Sequence, residues 1–105
     1  DNYRVEYRRR FLDGACHAGA RALAANDAER ALRYYHRAVA QVPADEEASR
    51  GLMRCYAALG DTNGVHKAYR VLARAVQDEL GIPLAGPGAE TRSLFRELTE
   101  GVASG

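Results

Sequence analysis

Two cysteines, Cys16 and Cys55, are all that the 105 residues hold. That is too few for a disulfide framework, and the composition reads as a cytosolic protein with free thiols. No apolar run approaches the roughly 18 residues that a membrane helix needs. Neither an initiating Met nor a signal peptide is present, so Asp1 is read as a boundary inside a longer protein. Charge of one sign is lacking too. Fifteen Lys+Arg face 14 Asp+Glu, and a net charge of +1 provides no general field for nucleic acid or membrane. Val, Ile and Thr are scarce while Ala is the commonest residue, which favours helix over strand.

Chemistry-bearing motifs are absent as well. His17, His36, His66 and the two cysteines have no metal-ligand spacing, and Cys16 and His17 point about 100° apart on a helix. There is no nucleophile elbow, no glycine-rich phosphate loop and no P-loop lysine. No catalytic residue, metal site or cofactor is therefore expected.

What is present suits one globular domain over residues 1–105, with 47% hydrophobic and 28% charged residues. Five helical segments follow from apolar spacing. The first, 4–25, carries Tyr7, Phe11, Cys16, Ala18, Ala22 and Leu23 at helical intervals. Asn26, with Glu29 three residues on, is expected to cap the second, about 27–42, which Pro43 ends. Asp45 caps a third helix that stops at Gly60. Asp61 to Gly64 open a fourth, whose stripe runs from Val65 to Leu80 before Gly81 and Pro83. After the loop 81–88 a short fifth helix, about 89–100, offers Leu94, Phe95 and Leu98, followed by a frayed tail.

An offset of 34 residues superposes the chain on itself. Asp27 falls on Asp61, Arg33 on Lys67, Tyr35 on Tyr69 and Val42 on Val76. That period is the one of tetratricopeptide repeats, each a helix–turn–helix. The expected fold is all-α: tetratricopeptide-like repeats, two helix pairs plus a C-terminal helix. Gly19 and Ala31 would let helices approach, and Tyr35 and Tyr69 would fill the gaps between one pair and the next.

Stacked helix pairs curve, and their first helices line the concave side. Arg50 and Arg54 lie one turn apart there, with Glu46 and Glu47 a turn before them. Two such guanidinium groups repel unless a carboxylate joins them. Arg50, Arg54 and Glu47 are the candidate partner contacts. The Arg8-Arg9-Arg10 run spreads around its helix and forms no single groove-reading stripe. Residues 1–43 carry +3 and residues 44–105 carry −2, an asymmetry that suits protein docking.

The stretch Asp45 to Tyr69, then Leu80-Gly81-Ile82-Pro83 and Glu90-Thr91-Arg92-Ser93-Leu94-Phe95, resembles the bacterial transcriptional activator domain. That domain is found in the Streptomyces antibiotic regulatory proteins, and Tyr7 to Phe11 resembles its opening helix. One departure is the glycine-rich loop before the last helix, which lacks the usual Ser cap and leaves Gly86 or Gly88 in its place. The resemblance implies a protein-contact module of a bacterial regulator. Its partners would be a second copy, a neighbouring domain or RNA polymerase, with DNA met only through a separate winged-helix domain and no membrane involved. Two alternatives share the fold: a peptide-binding scaffold in a signalling protein, and a small-ligand sensor.

Overall fold

The computed structural model describes residues 2–83 and 85–104. Five helices follow one another: α1 (Asn2–Ala24), α2 (Ala28–Gln41), α3 (Glu46–Ala58), α4 (Thr62–Leu80) and α5 (Ala89–Ser104). The all-α expectation holds. The backbone of α5 is helical past the expected end at residue 100, and Leu84 and Gly105 lie outside the described residues.

Each junction has a local cause. Asn26 does not cap α2. It takes the left-handed conformation, φ 61°, that ends α1, and asparagine tolerates this better than most residues. Asp27 is the cap instead, its carboxylate accepting the Arg30 N–H at 3.2 Å. Asp45 and Asp61 repeat the device, accepting from Ala48 N–H at 3.0 Å and Gly64 N–H at 2.9 Å. Each cap satisfies a donor that the first helical turn leaves free. Gly81, at φ 69°, closes α4, where a side chain would be strained.

The helices stack as antiparallel pairs, α1 with α2 and α3 with α4, and α5 covers the open end of the second pair. α3 packs on all four other helices, which explains why Ala48, Ser49, Gly51, Leu52, Met53 and Cys55 are all buried. An amphipathic stripe would bury one side only. Among the described residues the backbones of α1 and α3 approach each other, whereas those of α2 and α4 stay apart, with a recess of about 240 Å³ lined by Val39 and Val71 between them. The stack therefore closes on the α1–α3 side and opens on the α2–α4 side.

Three expected core positions are exposed, one of them Leu59, the C-cap of α3, at 43%. Tyr7 is 72% accessible and Leu80 60%. α1 has 23 residues and α2 only 14, so about 13 Å of α1 outruns its partner at 1.5 Å per residue. Tyr7 lies on that overhang. Leu80 sits in the final turn of α4.

Candidate functional site

The interface of α3 with α5 is the most heavily bonded polar site. Glu46 opens α3, and its carboxylate accepts the Gly88 N–H at 2.9 and 3.1 Å. Gly88 holds the N-cap position of α5, and its carbonyl accepts the Arg92 N–H at 3.0 Å. In a capping box a Glu three residues into the same helix does this work. Here a carboxylate 42 residues away in sequence supplies it. Thr91 is fully buried; its hydroxyl donates to Glu46 Oε1 at 2.6 Å and accepts from Arg50 Nη1 at 2.9 Å. Arg50 also pairs with Glu90 at 3.6 Å.

Arg50 is thus not an open contact residue. Its side chain is 16% exposed, and the carboxylate that relieves it comes from α5 of the same chain. Arg54 and Glu47, the other two expected contacts, are exposed on α3. Spacing alone revealed that Glu46 and Arg50 share a helix face. It could not reveal Thr91, whose separation from them exceeds 40 residues.

Apolar contacts complete the α5 seat. Phe95 stacks on Tyr69 with centroids 4.1 Å apart and planes 18° apart, and His66 meets it edge-on at 5.1 Å. Leu94 is buried and Leu98 packs beside the core. At the first pair the wedge is Tyr35, 4% exposed, between Gly19 of α1 and Gly51 of α3. A Cβ at Gly19 would lie 2.6 Å from the Tyr35 ring, and one at Gly51 would collide with it outright. The Tyr35 hydroxyl donates to the Cys16 carbonyl at 3.3 Å.

The two tyrosines are therefore related but unequal. The 34-residue offset puts Met53 where Gly19 stands and Ala85 where Gly51 stands. Tyr69 has no pair of glycines to enter and lies half-buried against Phe95 instead.

Both cysteines are free and buried. Burial pushes the thiols of Cys16 and Cys55 up to about 11, with Glu47 and Asp45 adding to the effect at Cys16. Burial also lifts the Tyr35 hydroxyl to about 12. Such thiols stay protonated and are poor nucleophiles at neutral pH. Among the described residues no group of three or more His, Cys, Asp or Glu side chains could hold a metal ion. No helix described is long and apolar enough to cross a membrane.

Stacked antiparallel helix pairs with an aromatic wedge, closed by a terminal helix, define a tetratricopeptide-like repeat domain. The family model of the bacterial transcriptional activator domain matches residues 2–99, and the chain belongs to that family. The family is one of transcription regulation rather than of enzymes. No curated protein and no solved structure matches the chain.

Proposed function

We propose that this domain is the protein-contact module of a bacterial transcriptional regulator, working in the cytoplasm. Base recognition would belong to a separate winged-helix domain of the same regulator. The observation that carries the reading is the exposure of Glu47 and Arg54 on α3, on the side where α1 and α3 close together, in a chain of the activator-domain family. An acid and a base held on one rigid helix offer a partner paired, oriented charges. Such pairs set register and discriminate among partners more than they add affinity. The partner is a protein: RNA polymerase, a neighbouring domain or a second copy. Catalysis has no part in it.

The test is a reporter assay with the complete regulator carrying Glu47→Ala and Arg54→Ala. Neither side chain is buried, so helix content should not change. Reporter output should fall at least about tenfold, the effect of losing roughly 1.4 kcal/mol of contact. Output at the wild-type level would rule this surface out.

A further inference from the structure

α2 turns three arginines to one side. Arg30, Arg33 and Arg37 stand at positions i, i+3 and i+7 and so share a helix face. The Arg30 guanidinium lies 5.8 Å from the centre of the Tyr34 ring. The four side chains surround a recess of about 150 Å³. All three arginines are exposed, and none has a carboxylate in ion-pair range among the described residues. Two acids lie just before the stripe: among the described residues Glu29 makes no ion pair with Arg30 or Arg33, and Asp27 spends one carboxylate oxygen on the Arg30 N–H.

The stripe continues. Gln41, one turn beyond Arg37, borders a second recess of about 510 Å³ with Arg4, Tyr7, Arg8 and Phe11 of the α1 overhang. From Arg30 to Gln41 is about 16 Å along the helix at 1.5 Å per residue. Five guanidinium groups and two tyrosines thus follow one edge of the molecule. A net charge of +1 conceals this local concentration, because the acids are gathered mainly on the later helices.

Unpaired arginines at close spacing call for a repeated anion. A protein partner would also need a desolvated apolar centre, where interface energy concentrates. The outer face of α2 offers none: of the large exposed apolar side chains, only Tyr7 borders the stripe. A phosphate chain needs nothing beyond guanidinium forks and tolerates a wet, polar contact.

The geometry points to a contact between this α1–α2 edge and the sugar–phosphate backbone of duplex DNA, made without reading bases. This goes past the expectation that DNA is met only through another domain. It rests on the proposed function only in taking DNA as the source of the phosphates. In the regulator the contact would add sequence-independent affinity to whatever the base-reading domain supplies.

Salt dependence tests it directly. A labelled duplex of arbitrary sequence, about 20 base pairs long, is titrated with the chain from about 25 to about 150 mM salt and followed by anisotropy. Each phosphate contact contributes about −0.9 to the slope of log affinity against log salt, so five arginines predict a slope of about −4.5. Replacing Arg30, Arg33 and Arg37 by Ala should bring it to about −1.8. Alanine is a good helix former and these positions are exposed, so circular dichroism should show the fold retained. A charge-matched variant on α4, with Lys67, Arg70 and Arg74 changed to Ala, should keep nearly the wild-type slope.

Three results would overturn the inference: an unchanged slope in the α2 variant, an equal loss in the α4 variant, or polyglutamate displacing the duplex at equal charge. The last would mark a carboxylate-bearing partner. A failure here leaves the Glu47 and Arg54 test untouched, because that assay reads activation and this one reads phosphate contacts alone.

Discussion

Gly19 of α1 faces the ring of Tyr35 with no room for a methyl group: a Cβ there would stand 2.6 Å from the ring. Gly51 of α3 presses on the opposite edge of the same ring. One tyrosine therefore sets the spacing of three helices, and two glycines make the slot it enters.

Gly51→Ala should destabilise the domain even though alanine is the better helix former. Overpacking costs about 1 to 3 kcal/mol, against a propensity gain of about 1 kcal/mol. Tyr35→Ala alone should cost about 3 to 5 kcal/mol. In the double variant the Gly51 penalty should vanish, because the clash has no partner. Urea denaturation of the four proteins gives the coupling energy, and simple additivity would show that the ring does not fill the slot.

Much of this was legible in the sequence, and the reasons for success and failure differ by residue. Tyr35, Asp45 and Gly81 act through helical period, capping and backbone freedom, which are local and periodic. Asn26 misled because asparagine both caps helices and tolerates positive φ, and only the neighbouring Asp27 decides which role it takes. Tyr7 and Leu80 follow the apolar spacing but sit where a helix outruns its neighbours, and spacing contains no information about overhang. Arg50 was visible as a charge needing a carboxylate. Its partner came from α5, and nothing periodic links residue 50 to residues 90 and 91.

Thr91→Val keeps the shape of the side chain and removes its hydroxyl. Arg50 then loses its 2.9 Å acceptor and Glu46 its 2.6 Å donor. Removing a buried link of this kind costs about 1 to 3 kcal/mol. Hydrogen exchange should quicken in α5 well before it does in α3. Exchange unchanged in α5 would show that Phe95 and Leu94 alone hold the helix.

Ser49→Ala should leave stability unchanged or raise it by up to about 1 kcal/mol. The Ser49 hydroxyl is buried with no hydrogen-bond partner, and an unsatisfied buried group costs free energy. A thermal melt of the two proteins decides it. A clear fall in melting temperature would mean that the hydroxyl is bonded in solution.

Stability should decline as pH rises from about 9 to about 11. Folding raises both thiols from 9.0 to about 11, so in this window the unfolded chain releases protons that the folded chain retains. The folded state then binds more protons, and linkage makes stability fall as pH rises. Urea midpoints measured across the window should drop. A flat profile to pH 10.5, near the top of the window, would contradict the burial of Cys16 and Cys55. For the same reason, thiol reagents at pH 7 should label both cysteines only after unfolding.

The central claim is that the exposed charges of α3 contact a protein partner in activation, apart from DNA occupancy. Single-round transcription with purified RNA polymerase tests it most directly, using the complete regulator at a concentration that saturates its promoter by footprinting. The variant with Glu47→Ala and Arg54→Ala should occupy the promoter as the wild type does and yield at most about a tenth of the transcript, the loss expected for roughly 1.4 kcal/mol of contact. Full transcript at full occupancy would contradict the account.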